Sequence, residues 1–278
     1  MAKIIDGKAF AAEIKEEIRA EIERDNLSVG LAVIIVGDDP AGKIYVKNKK
    51  NDCVECGVQS FEYALPGYIS QEELLELIEE LNEDARVNGI LVQQPLPEHI
   101  NVTTVNETIS AFKDVDAFRA DAAGRVMFGD YDFMPCTPEG IMEMLRKEGI
   151  SVEGKECVVV GRSDIVGKPL AMMLLNANAT ITVCHSKTLN LSGVTRRADL
   201  LFSAVGKAGF ITADMVKDGA VVVDVGINRD CEGKLCGDVK FGEVAEKASY
   251  ITPVPGGVGP MTRAILMKNT LTAKKLQS

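Results

Sequence analysis

Short aliphatic runs, each stopped by glycine or proline and each separated from the next by a stretch with helical spacing, recur along this chain. Leu31 to Gly37 reads LAVIIVG, a continuous apolar run of the kind found where both faces of a strand are covered. Asp38, Asp39 and Pro40 then open a helix that Gly57 ends. VQSFEYAL (58–65) alternates as a strand does, and Gln71 to Arg86 sets Leu74, Leu77, Ile78 and Leu81 on one helical face. GILVQ (89–93) is a third strand, cut off by Pro95 and Pro97, and an amphipathic helix with Phe10, Ile14, Ile18 and Ile22 precedes them all. Strands alternating with helices predict a parallel α/β sheet.

The pattern loses its period over residues 113–137, which include Gly124, Gly129 and Pro135, and then resumes. A helix is expected from Thr137 and Pro138 to Arg146. CVVVG (157–161), TITVC (180–184), DLLFSAV (199–205) and AVVVDVG (220–226) read as strands, with a helix from about Gly167 to Asn176. The fold class is therefore α/β, with two α/β domains and a cleft between them, the second Rossmann-like. A last helix after Thr262 is expected to return to the first domain.

Composition narrows the function. Lys plus Arg number 31 and Asp plus Glu 41, a net charge of −10. A nucleic-acid binder needs a basic footprint, so no nucleic acid is expected as partner. The apolar runs are far too short to cross a membrane, and MAKIIDGKAF lacks the apolar core of a signal peptide, so the expectation is a cytoplasmic protein with no membrane contact. Seven cysteines spread over 278 residues suit reduced thiols. Cys53 and Cys56 form a CxxC inside a helical pattern, and Cys231 and Cys236 are spaced differently, so no metal is expected. The two histidines, His99 and His185, form no HxxxH or HExxH, which disfavours histidine-centred catalysis.

The turn after CVVVG runs Gly161-Arg162-Ser163-Asp164-Ile165-Val166-Gly167. Glycines at a strand-to-helix turn let a backbone approach a pyrophosphate that the helix N-terminus attracts; a plain tight turn is the alternative. An NAD site usually has a carboxylate at the end of the next strand. Here that place holds Cys184-His185-Ser186-Lys187. A hydroxyl and a lysine, with Arg162 from the turn, suit a 2′-phosphate, which favours NADP, unless these residues only cap the strand in solvent.

In the first half, Tyr45 and Lys49 stand four apart and share a helix face. Gln93 ends the third strand and Asp116, in KDVD, follows the next connection, both placed to reach the ligand-binding edge of such a sheet. Lys43, Lys47, Lys49 and Lys50 crowd one helix, and most such lysines are solvated. TPVPGGVGPMT (252–262) makes a rigid loop with exposed backbone, either beside a ligand or as a structural turn.

Taken together, YVKNKK, GILVQQPLP, KDVDAF, PCTPEG, GRSDIVGKPLA, CHSKT, ADLLFSAVGK, DVGIN, GDV and TPVPGGVGPMT resemble the bifunctional methylenetetrahydrofolate dehydrogenase/cyclohydrolase (FolD) family through nearly the whole chain. The resemblance implies two reactions in one cleft: NADP-linked oxidation of 5,10-methylenetetrahydrofolate to the methenyl cation, then hydrolysis to 10-formyltetrahydrofolate. It implies a folate-binding catalytic domain of residues 1–118 plus 262–278, a junction at 119–136, a Rossmann-like NADP-binding domain at 137–261, and a homodimer through the cofactor domain. Lys49 matches the family's catalytic lysine, Gln93 the glutamine that orients it, Tyr45 the tyrosine that packs on folate and Asp116 the aspartate that bonds the pterin amino edge. Gly161, Arg162 and Ser163 match the NADP turn, Ser186 the hydroxyl near the 2′-phosphate and Ile227 a residue touching nicotinamide. Pro255, Gly256 and Gly257 would border folate and nicotinamide. Gly42, Gln94, Ala117 and Ala122 depart from the family's usual Ser, Leu, Gly and Asn. Two other readings stand beside this one: a monofunctional, possibly NAD-dependent, methylenetetrahydrofolate dehydrogenase, and an inactive nucleotide- or folate-binding module.

Overall fold

The computed structural model describes residues 1–38 and 40–277, with the backbone alone for residues 40, 41 and 43–45. The chain begins with β1 (Lys3–Ile4), α1 (Gly7–Arg24), β2 (Gly30–Val36), α2 (Pro40–Cys56), β3 (Gln59–Leu65), α3 (Gln71–Glu83), β4 (Gly89–Val92) and α4 (Val102–Thr108). α5 (Ala120–Phe128) and α6 (Cys136–Lys147) follow, then β5 (Glu156–Val160), α7 (Gly167–Asn176), β6 (Thr180–Cys184), α8 (Leu191–Thr195), β7 (Leu200–Ser203) and β8 (Val221–Asp224). β9 (Asn228–Arg229), β10 (Leu235–Cys236), α9 (Phe241–Ala245), β11 (Tyr250–Ile251) and α10 (Val258–Leu276) complete it. Two compact units result: Met1–Ala11, Val126–Asp130 and Thr137–Thr262 in one, and Ala12–Arg125, Tyr131–Cys136 and Arg263–Ser278 in the other. Among the described residues, no helix is long and apolar enough to cross a membrane.

The second of these units holds a three-stranded parallel sheet ordered β3-β2-β4. β2 lies in the middle and every one of its residues is buried, which is why its sequence is apolar without alternation. α3 starts on a capping box in which Ser70 and Glu73 satisfy one another's backbone amides. It turns Leu74, Ile78 and Leu81 into a core with Ile34, Ile90 and Val92. The chain then returns beside β4, where Ile90 bridges Asp114. The buried Lys113 donates from Nζ to the carbonyls of Leu81 and Asp84, both at 2.9 Å, near the end of α3. This anchor fixes the KDVD segment and so the place of Asp116.

The other unit is built on a parallel sheet ordered β1-β11-β8-β7-β5-β6. The chain leaves β5 for β6 on one side and then comes back to β7 on the other, so β5 is the switch point at which open α/β sheets bind ligands. β1 joins this sheet: Lys3 and Ile4 pair with Tyr250 and Ile251, and residues 1–11 fall in this compact unit. A two-residue strand is too short to show a period. The stretch read as aperiodic contains α5, whose Gly124 interrupts the helical pattern and whose buried residue is Val126 alone. A short antiparallel hairpin, β9–β10, is a further addition, with Asp230 accepting the Glu232 and Lys234 amides across its turn.

Candidate active site

In the unit of the smaller sheet, α2 carries Lys49, Cys53 and Cys56 about one turn apart. Both cysteines are fully buried, and burial pushes their thiols up to about 12, so they stay protonated packing groups rather than ligands. Among the described residues no three His, Cys, Asp or Glu gather into a metal-binding group. Asp52, also buried, accepts from Lys15 Nζ at 3.0 Å and Arg263 Nη1 at 2.8 Å, which pins α2 to α1 and to the second turn of α10.

Lys49 is half-buried and its Nζ donates to Gln93 Oε1 at 3.0 Å. Gln93 in turn donates from Nε2 to the Gln94 carbonyl at 2.7 Å, which turns its oxygen toward the lysine. The side-chain departure at Gln94 leaves this bond intact because the acceptor is main chain. Burial pushes the Lys49 amine below its ordinary value, and the Asp116 carboxylate pulls the other way. Burial likewise raises Asp116, against Lys49 and a hydrogen bond with Cys136. The Cys136 thiol also reaches the Val115 carbonyl at 3.4 Å. Asn269, buried on α10, donates to the carbonyls of Val115 at 2.8 Å and Met134 at 2.9 Å. Asp114 accepts the Arg119 amide at 2.9 Å, yet burial pushes its carboxyl up to about 7. Ala117 holds φ 55°, a left-handed conformation that glycine adopts freely and an L-residue adopts at a cost, so this departure has a local strain. Tyr45 lies one turn before Lys49 in α2, and its side chain is outside the described residues.

In the other unit the ends of β5, β6, β7, β8 and β11 share one edge of the larger sheet. Gly161 has φ 130°, and a Cβ there would lie 2.3 Å from the Ala204 carbonyl oxygen; a Cβ on Gly167 would lie 2.3 Å from the Gly161 carbonyl oxygen. Only glycines allow this close packing of turn, strand and helix. Ser163 Oγ accepts the amides of Val166 and Gly167 at 3.2 and 3.3 Å, ordering the start of α7. Arg162, Ser186 and Lys187 are exposed, and no carboxylate stands at the end of β6. The tight turn and the nearby cationic and hydroxyl side chains fit a phosphorylated dinucleotide. Ile227 is 49 % exposed beyond β8. Beyond β11, Pro255 is exposed, Gly256 has φ 110° and its carbonyl accepts the Lys8 amide at 2.9 Å, and a Cβ on Gly257 would meet the Pro253 carbonyl oxygen at 2.6 Å.

Lys49, Gln93 and Asp116 are thus brought together in one unit, and Gly161, Arg162, Ser163, Ser186, Ile227 and residues 255–257 along the sheet edge of the other. Sequence reasoning passed over Cys136 and Asn269, which hold the Asp116 segment, and two buried carboxylates, Asp224 and Asp238, that organise the sheet edge. Burial pushes Asp224 up to about 6, although it accepts three backbone amides. The signal for the pair was present in DVGIN and GDV, where each aspartate stands within two residues of a glycine.

Two family models match in tandem: tetrahydrofolate dehydrogenase/cyclohydrolase, catalytic domain, over residues 5–116, and the NAD(P)-binding domain of the same name over residues 135–278. The bifunctional protein FolD of Ruminiclostridium cellulolyticum is 57% identical over 280 residues, spanning 100% of this chain and 99% of that one. The crystal structure of the bifunctional FolD dehydrogenase/cyclohydrolase from Campylobacter jejuni superposes with TM-score 0.97 at 50% identity, with 100% of each chain covered. The Trypanosoma brucei dehydrogenase–cyclohydrolase, solved with NADP cofactor and an inhibitor, gives TM-score 0.95 at 37% identity, covering 99% and 98% of the two chains. These relatives carry both activities, which favours the bifunctional reading over the monofunctional one. With both domains matched in order and about half of the residues shared along the full length, the chain belongs to the bifunctional tetrahydrofolate dehydrogenase/cyclohydrolase family.

Proposed function

We propose that Lys49 is the proton-transferring group with which this enzyme hydrolyses 5,10-methenyltetrahydrofolate, the product of its NADP-linked oxidation of 5,10-methylenetetrahydrofolate. The observation that carries the reading is the bond from Lys49 Nζ to Gln93 Oε1, 3.0 Å long, on an amine that burial holds below its ordinary value. An amine so tuned takes a proton from the water as its oxygen bonds to the methenyl carbon and returns it to the ring nitrogen as that carbon–nitrogen bond opens, while the hydroxyl proton leaves to solvent as the formyl carbonyl forms, so one proton is released overall. Gln93, fixed by its bond to the Gln94 carbonyl, aims the amine. Asp116 accepts from the pterin amino edge, where an acceptor is required, and Tyr45 takes the folate-packing role that the family resemblance implies.

NADP, when bound, would supply the hydride acceptor for oxidation of the methylene carbon. Gly161, Arg162, Ser163 and Ser186 would hold it, Ile227 would touch its nicotinamide half, and Pro255, Gly256 and Gly257 would border nicotinamide and folate. The missing carboxylate at the end of β6 supports NADP over NAD. Gly42, Gln94, Ala117 and Ala122 leave Lys49, Gln93 and Asp116 in place, which supports retention of both activities. The open edge strand β6, with exposed Val183 and exposed Leu175 and Leu189 nearby in sequence, is a candidate surface for a homodimer. Free thiols suit a reducing cytoplasm.

The test is an absorbance assay with methylenetetrahydrofolate and each nicotinamide nucleotide, following the NADPH and methenyl bands separately. Expected is NADPH formation with a methenyl band that rises and decays. A methenyl band that persists overturns the hydrolase assignment, and preference for NAD overturns the coenzyme choice.

A further inference from the structure

We infer that Asp238 is a positioning residue for the coenzyme, clasping with Asp224 the loops that follow β7 and β8 at the binding edge of the larger sheet. The inference rests on the NADP reading above. Asp238 is completely buried, and its side-chain partners lie at the end of β7, on the loop after it and at the start of β9, where the loop after β8 ends. Its Oδ2 accepts from Val205 N at 2.7 Å, Ser203 Oγ at 3.1 Å and Gly206 N at 3.3 Å, and its Oδ1 from Lys207 N and Asn228 Nδ2, both at 2.9 Å. Three successive amides converging on one anion form the nest geometry that elsewhere captures phosphate. Here the protein's own carboxylate fills it, so the 205–207 loop is set in shape before any ligand arrives.

Asp224 completes the clasp. Its Oδ1 accepts the amides of Gly226 and Asp238 at 3.0 and 2.9 Å, and its Oδ2 that of Val239 at 2.9 Å. Its own amide donates to Thr252 Oγ1 at 2.8 Å, at the head of the loop that leads to Pro255. The two carboxylates are seated reciprocally. A Cβ on Gly237 would lie 1.9 Å from Asp224 Oδ2, and a Cβ on Gly226 would lie 2.1 Å from Asp238 Oδ1. Each aspartate therefore occupies the space that a glycine beside the other leaves open. Ile227 stands between Gly226 and Asn228, so its direction follows from the bonds on either side.

The folate-side residues Lys49, Gln93 and Asp116 belong to the other unit, which makes the effect of Asp238 separable. Asp238→Asn keeps the shape but turns one acceptor into a donor facing the converging donors. Expected are a tenfold or larger rise in the NADPH dissociation constant by fluorescence titration and tenfold faster amide exchange at Val205, Gly206 and Lys207 in the coenzyme-free protein. Hydrolysis of added methenyltetrahydrofolate without nucleotide serves as the check that the variant is folded. NADPH affinity and loop exchange equal to the parent's overturn the inference. Should Asp238→Asn fail the fold check, Asn228→Ala removes a single donor beside Ile227 and is expected to weaken NADPH binding threefold or more; parental affinity in that variant overturns the inference too. A parent protein that does not bind NADPH overturns the coenzyme reading itself, whereas tight parental binding with an indifferent Asp238→Asn overturns only the clasp.

Discussion

Replacing Lys49 by methionine removes the amine and keeps the length and apolar bulk of the side chain. General acid–base catalysis contributes about 10²–10⁴ in rate. At about 1.4 kcal/mol per factor of ten, this is about 3–5 kcal/mol on the barrier to methenyl hydrolysis. Hydride transfer moves no proton at the lysine, so NADPH formation falls by less. The fold is expected to survive, because the amine's bond to Gln93 is worth about 0.5–1.5 kcal/mol net, and its burial is unfavourable to the charged form. The sign of the pH effect follows. Between the lowered native value and 10.5 the unfolded chain binds more protons than the native one, so the parent gains stability as pH rises through that window. Below it the cost of the buried ammonium is fully present. The variant lacks this gain. Decay of the methenyl band, measured beside urea unfolding at several pH values, reports both effects. A folded Lys49→Met protein that hydrolyses within tenfold of the parent refutes the role of the amine.

Asn269→Ala strips the donor from the buried carbonyl of Val115 and the partly buried one of Met134 and is expected to lower unfolding free energy by about 2–4 kcal/mol; a loss under about 1 kcal/mol in urea titrations would contradict that bookkeeping. Asp114, with Asp116 and Arg119 as its charged neighbours, titrates near 7 in the native state against 3.8 ordinarily, so the native protein holds a proton that the unfolded chain has lost in that window. Its contribution to stability therefore declines as pH rises from about 4 to about 7, and Asp114→Asn removes a decline on the order of 2–4 kcal/mol; parallel pH profiles for parent and variant would count against it.

The central strand and the amphipathic helices are legible in the sequence for a plain reason: burial on both faces of β2 removes alternation, and burial on one face of α3 imposes helical spacing. β1 and the β9–β10 hairpin are not, because two residues carry no period and their pairing depends on Tyr250 and on the Asp230 turn. The site divides in the same way. Gly161 announces its turn through local chemistry, but nothing local separates Lys49 from Lys47 or Lys50 on the same helix. What singles it out is an acceptor 44 residues away at the end of another strand. Asp224 and Asp238 stayed hidden for the converse reason: their partners are mostly backbone amides, which every residue but proline supplies and no residue type betrays.

The distribution of thiols has a practical side. Cys53, Cys56, Cys136, Cys157 and Cys184 are sealed in the interior, while Cys231 is exposed at the tip between β9 and β10 and Cys236, in β10, is half-covered. A maleimide fluorophore offered to the native protein should settle on that hairpin first, giving an optical reporter without any engineered cysteine. Because β9 begins at Asn228, light from such a label would register the arrival of a nucleotide at the neighbouring strand ends in real time.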